Sequence, residues 1–239
     1  MKKTNNLKFN NFLKVFIILL AIVVLIVILW DNFCKNVDNL SHNSSNYSST
    51  NNTSNTSNDI ENWNLILVNK WNKIPDNYNV ELVEVPGGEK VDKRIYEPLM
   101  QMLNDAKESN WNKEPIVVAG YRTNEKQTEL YEERIEGYKK DGYSEKEAIT
   151  EAEKWVSVPG YSEHQIGLAV DINGATYDLY FWLQENSYKY GFIFRYPGNK
   201  TDITGISEEV WHYRYVGKEV AKEIYDKGIC LEEYLENIK

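Results

Sequence analysis

The stretch Ser162-Glu163-His164-Gln165-Ile166-Gly167-Leu168-Ala169-Val170-Asp171 constrains the fold of this chain more than any other. It sets an imidazole and a carboxylate seven positions apart, with small residues at Gly167 and Ala169 between them. A second cluster follows downstream, Glu209-Val210-Trp211-His212. His164, Asp171 and His212 together form a mixed nitrogen and oxygen donor set that suits Zn2+. Three protein ligands leave a fourth tetrahedral position open, which is the catalytic rather than the structural pattern. Glu209 is then available as a general base. The chain has three histidines, and His42 lies in a polar low-complexity stretch, so both remaining histidines fall inside these motifs.

S-x-H-x-x-G-x-A-x-D followed by E-x-W-H resembles the paired signature of the VanY-type zinc D-alanyl-D-alanine carboxypeptidases, relatives of the lysostaphin and hedgehog zinc folds. Ala119-Gly120-Tyr121-Arg122-Thr123 is similar to that family's (S/A)-G-Y-R-(S/T) element, and Gln127 stands where the family often carries Gln. Tyr190-Gly191-Phe192-Ile193-Phe194-Arg195-Tyr196-Pro197 and Trp211-His212-Tyr213-Arg214-Tyr215-Val216-Gly217 also look like it. The resemblance covers about residues 75–235, and its separated elements occur in the family order.

The resemblance implies a zinc metallo-carboxypeptidase that removes the terminal D-alanine from peptidoglycan stem peptides by metal-activated water. His164, Asp171 and His212 would hold the metal, and Glu209 would move the proton. Arg122 would stabilise the oxyanion or grip substrate, and Ser162 and Gln127 would contact substrate. An L,D-carboxypeptidase or wall endopeptidase on the same site is a second enzyme reading. A non-catalytic wall-binding module is a third, but Glu209 argues against it, since holding zinc requires no base.

The net charge is −9, which argues against a nucleic-acid partner, because phosphate binding needs a basic surface. Charge is unevenly placed: residues 1–35 carry five lysines against Asp31, a local balance of +4. Residues 15–30 are an unbroken apolar run, extended by Phe12 and Leu13 if Lys14 snorkels. That is near the length that crosses a bilayer and too long for a typical signal-peptide core. The lysines before it favour a cytoplasmic N-terminus. Asp31-Asn32-Phe33 is a poor cleavage site, and Phe33 is too bulky to precede a lipidated Cys34. Residues 1–35 therefore read as a cytoplasmic N-terminus and single-pass transmembrane anchor. Residues 36–58, rich in Asn, Ser and Thr, read as a disordered tether. Residues 59–239 read as one extracellular zinc-peptidase domain, a monomer. Cys34 and Cys230 lack metal-ligand spacing and supply no disulfide framework, so a core must hold the domain.

The patterning predicts a mixture of helices and strands, and the resemblance implies an α+β fold with a central, largely antiparallel sheet flanked by helices. Residues 59–75 read as a strand or turn segment at the domain edge. Strands are expected at 80–85, 116–119 (buried), 168–172, 193–195 and 211–215. Val210, His212 and Arg214 then share one face, and Glu209 needs a turn or bulge to face the same metal. Helices are expected at 94–109, 124–139 with Asn124 as N-cap, 144–156 with a Ser144 to Glu147 capping box, 177–189, and 218–239. Leu130, Ile135 and Tyr138 of the second helix should point inward, and the acidic run at 129–136 should be a solvated face. Tyr177, Tyr180, Phe181 and Trp182 read as helix core rather than a sugar-stacking platform.

If residues 12–30 anchor the protein, protease added to intact protoplasts will remove the domain, and full protection of the domain will contradict the anchor.

Overall fold

The computed structural model describes residues 62–238. The expected anchor, the linker and the first residues of the domain lie outside these. Among the described residues no helix is long and apolar enough to cross a membrane.

The described chain opens with a single 3-10 turn, Trp63–Leu65, and an isolated bridge between Asn69 and Asn72. Strands β1 (Leu82–Glu84) and β2 (Lys90–Asp92) pair antiparallel as a hairpin. Helix α1 (Tyr96–Asp105) buries Leu99, Met102 and Leu103, the i, i+3, i+4 stripe of an amphipathic helix. Strand β3 (Ile116–Ala119) leads through Arg122 into α2 (Asn124–Lys140), which forms a hairpin with α3 (Glu145–Ala152). Next come β4 (Ala169–Asn173), α4 (Asp178–Asn186), β5 (Phe192–Phe194) and the single-turn α5 (Thr201–Thr204). The chain closes with β6 (His212–Tyr215), α6 (Lys218–Lys227) and α7 (Leu231–Asn237).

The main sheet runs β3-β4-β6-β5, with every pair antiparallel. Its register explains how one sheet carries both a core and a polar site. Val117 pairs Ile172, Val170 pairs Tyr213, and Tyr213 pairs Phe194, so these residues share one face. That face packs with Leu99, Met102 and Leu103 of α1 and Leu179 and Leu183 of α4 in the larger core. The opposite face carries Asp171 beside His212 and Ala169 beside Arg214. On that side Ile193 joins Ala221, Ile224 and Leu231 of α6 and α7 in a second apolar cluster.

The α+β expectation therefore holds, and the Ser144–Glu147 capping box is present. Several elements differ from the sequence reading. Strand β3 is an edge strand: Val117 is buried, but Ile116 and Val118 are 55% and 51% exposed, because β3 pairs only with β4 and shifts register at Val118. Thr123, not Asn124, caps α2, its side chain accepting the Lys126 N–H. Helix α2 fully buries only Gln127, leaving Leu130, Ile135 and Tyr138 half-buried, while the acids from Glu129 to Glu136 are exposed as expected. The closing helix is two helices, because Gly228 in the left-handed region ends α6 and Cys230 starts α7. In α4 the buried residues are Leu179 and Leu183, whereas Tyr177 and Phe181 are 65% and 59% exposed, so the aromatic stretch is only partly core. Val210 lies outside β6, so only His212 and Arg214 share its face.

Truncating Leu99 to Ala should lower stability by about 2–5 kcal/mol, because its side chain is fully enclosed. Val118→Ala on the exposed edge should stay within about 0.5 kcal/mol. Urea denaturation of both variants checks the pair; equal losses would contradict this placement of core and edge.

Candidate metal centre

Asp171 and His212 are brought together by strand pairing, as register partners on neighbouring central strands. His164 arrives on the 3-10 turn Glu163–Ile166. Gly167 ends that turn at φ +71, and a Cβ there would lie 3.0 Å from the Asp92 backbone nitrogen. This gives the small residue of the motif a physical reason: the chain must turn left-handed against the β2 backbone before entering β4. Gly120 is equally constrained, since a Cβ would sit 2.2 Å from the Lys90 carbonyl oxygen.

One donor atom each from His164, Asp171 and His212 lies within 4.8 Å of the others. The two imidazoles meet edge to face, with centroids 4.9 Å apart and planes at 85°. His164 Nδ1 lies 2.8 Å from the Gly120 carbonyl, which can only accept, so Nδ1 carries the hydrogen and Nε2 presents its lone pair. Nε2 lies 3.4 Å from Asp171 Oδ1, and His212 Nδ1 lies 3.1 Å from the same oxygen. Oδ1 is nevertheless buried without a hydrogen-bond partner. A buried carboxylate oxygen that faces two ring nitrogens and bonds to neither fits a site for a cation. Two imidazoles and one carboxylate suit zinc.

Asp171 Oδ2 is occupied, accepting from Arg122 Nη2 at 3.1 Å. Burial opposes ionisation of Asp171, but the two imidazoles hold its carboxyl well below the usual range. Burial and the Arg122 charge lower the His164 pKa. Burial would lower His212 too, but the flanking Asp171, Glu163 and Glu209 carboxylates push it up to about 9. The turn expected before β6 is present, with the His212 N–H donating to the Glu209 carbonyl at 3.0 Å. It puts Glu209 Oε2 3.5 Å from His212 Nδ1, on the metal side of the ring. Burial, reinforced by the Asp171 charge and opposed by His212, Arg122 and Arg134, pushes the Glu209 carboxyl up to about 7. That range suits a base working near neutrality.

These groups open into a cleft of about 560 Å³, whose walls include Arg122, Gln127, Ser162, Tyr196 and Trp211. All seven residues singled out from the sequence thus meet at one place. Gln127 does so differently from expectation. Its Oε1 accepts from Arg122 Nη1 at 3.4 Å and its Nε2 donates to the Ser157 carbonyl at 2.7 Å, so its amide supports Arg122. The sequence reading missed the polar floor behind the metal ligands, made by Glu163, Arg195 and Arg214, all almost wholly buried. It also missed Tyr196, whose ring lies 4.7 Å from that of His212. Glu163 was an unassigned position inside the motif. Only the alternation that put Arg214 with His212 hinted at a second polar row.

An open three-ligand donor set with a buried carboxylate beside it, on an antiparallel sheet flanked by helices, defines a zinc hydrolase of the α+β class. The family model of the VanY D-alanyl-D-alanine carboxypeptidases matches residues 88–218, and the chain belongs to this family. It is 53% identical over 186 residues to a D-alanyl-D-alanine carboxypeptidase of Enterococcus faecalis, covering 76% of this chain and 69% of that one. The fold is similar to VanYB in complex with D-alanine-D-alanine, with a TM-score of 0.70 at 52% identity, over 74% of this chain and 99% of that chain. It is also similar to a zinc-bound mutant of the vancomycin resistance D,D-pentapeptidase VanY from a VanB-type cassette. There the TM-score is 0.69 at 52% identity, over 72% of this chain and 99% of that chain.

The purified protein should carry one zinc per chain, and His164→Ala, Asp171→Ala and His212→Ala should each reduce it. Elemental analysis checks this, and undiminished zinc in all three variants would place the ligands elsewhere.

Proposed function

We propose that this chain is a zinc-dependent D-alanyl-D-alanine carboxypeptidase that removes the terminal D-alanine from peptidoglycan stem peptides. The observation that carries this reading is the buried Glu209 carboxylate, 3.5 Å from the His212 nitrogen that faces the metal position, in a member of the VanY family. When bound, zinc supplies a Lewis acid for the scissile carbonyl and makes water more acidic. Glu209 accepts the proton of the attacking water as the new C–O bond forms. It returns that proton to the D-alanine nitrogen as the C–N bond breaks, so the base is regenerated. Arg122, tied through Nη2 to Asp171 and through Nη1 to Gln127, holds a fixed positive charge at the cleft wall, where negative charge develops on the carbonyl oxygen. Ser162, in the same wall, would contact the peptide.

The same proposal places the domain outside the cell, on an anchor formed by residues 12–30 and a tether formed by residues 36–58, acting as a monomer on the wall polymer. The apolar run, its flanking lysines and the Asn/Ser/Thr composition support the anchor and the tether.

Glu209→Gln should keep zinc while D-alanine release from a pentapeptide stem falls about 10²–10⁴-fold, roughly 3–5 kcal/mol of barrier. Glu208→Gln should be mild, because Glu208 is exposed and faces the Gly198 N–H. Release and bound zinc are measured on the same samples, with a tetrapeptide arm to detect L,D cleavage. Loss of release in Glu208→Gln with Glu209→Gln intact would move the base by one residue. Release from the tetrapeptide alone would replace the D,D reading.

A further inference from the structure

We infer that Glu163 is a positioning residue for the metal centre: its buried carboxylate accepts the Nε2–H of His212 and so fixes the ring that presents Nδ1 to the ion. This deepens the proposed zinc site and rests on it. Each imidazole has one nitrogen toward Asp171 Oδ1 and the other turned away from it. For His164 the rear nitrogen is satisfied by the Gly120 carbonyl at 2.8 Å. For His212 the rear nitrogen is Nε2, which is buried and has no hydrogen-bond partner. Glu163 Oε2 is also buried and partnerless, and the two atoms face each other at 3.6 Å. That separation is about half an ångström beyond a good hydrogen bond. With the hydrogen on Nε2, closing that gap would satisfy both orphans at once. With the hydrogen on Nδ1, two lone pairs oppose each other in a dry interior and the metal-facing nitrogen is blocked.

The rest of the floor explains why a carboxylate can stand there. Glu163 Oε1 accepts from Arg195 Nε at 2.8 Å and from Arg214 Nη1 at 2.9 Å. All three side chains are fully buried. Both arginines bind the same oxygen, which leaves Oε2 for His212. Arg195 is held in turn by both oxygens of Glu232 on α7, at 2.8 and 2.6 Å, and Glu232 accepts from Asn69 at 3.0 Å. Arg214 Nη2 donates to the Asn64 and Ile66 carbonyls at 3.1 and 2.8 Å. The first described loop and the last helix thus converge behind one zinc ligand. A carboxylate behind a ligating histidine orients the ring and raises its donor strength.

Glu163→Gln separates this role from simple burial. The arginines can only donate, so the amide oxygen stays with them and the amide NH2 turns toward His212 Nε2–H, donor against donor. Zinc affinity, read by chelator competition, should fall about 10–100-fold. In the zinc-loaded protein, the slowly exchanging Nε2–H proton resonance of His212 should be lost. Glu232→Gln is the control. It removes a buried carboxylate from the same network but does not reach His212, so it should lower the melting temperature and leave zinc affinity within about twofold. If Glu163→Gln does not fold, Glu163→Asp keeps the charge for the arginines, withdraws the carboxylate by one methylene, and should show the same loss. Wild-type zinc affinity in the folded Glu163 variant, or an equal loss in Glu232→Gln, overturns the inference while leaving the zinc site standing. Failure of the wild-type protein to bind zinc would overturn the site itself.

Discussion

The two oxygens of the Asp171 carboxylate have different surroundings. One oxygen is fixed by Arg122 at 3.1 Å, and the other, unpaired, lies between nitrogens of His164 and His212. The surrounding geometry follows from that division. Arg122 orients the carboxylate, Gln127 orients Arg122, and the Gly120 carbonyl orients His164. A buried oxygen with no hydrogen-bond partner is unfavourable alone, so the arrangement makes sense as one prepared for an ion. The strand pair that carries Asp171 and His212 lies at the centre of the sheet, where backbone hydrogen bonding on both sides limits its freedom. A rigid element is the place for ligands that must hold a fixed geometry.

The two faces of that sheet divide the work. One is apolar and packs on α1 and α4. The other carries charge into the interior, and a buried charge is stable only when paired and hydrogen-bonded. Glu163 illustrates the balance. Burial alone would raise its pKa, but Arg195 and Arg214 hold it well below the usual carboxylate range, so it stays ionised. Glu209 has no arginine within hydrogen-bonding reach, and burial pushes it up to about 7. Two glutamates near one imidazole thus differ in character because of what stands beside each: the arginines keep Glu163 ionised, while burial raises Glu209.

Much of the site was legible in the sequence because its residues are local or follow simple periodicity. Asp171 in a short apolar run, His212 at the head of another, and Glu209 three positions earlier demanded a strand, a strand and a turn, and all three are present. What was hidden depends on contacts that cross the chain. Glu163 meets Arg195 and Arg214 at separations of 32 and 51 residues, and nothing near Glu163 signals either partner. The exposure of Ile116 and Val118 is a consequence of β3 lying at the sheet edge, which composition does not reveal. The division of the closing helix turns on the backbone at Gly228, where an apolar pattern continues across a left-handed residue.

Zinc K-edge X-ray absorption on the metal-loaded protein addresses the convergence of His164, Asp171 and His212 on a single ion most directly. A first shell of two imidazole nitrogens at about 2.0–2.1 Å with oxygens at about 2.0–2.2 Å is the expected result. A sulfur shell near about 2.3 Å, or scattering from a single imidazole, would contradict it.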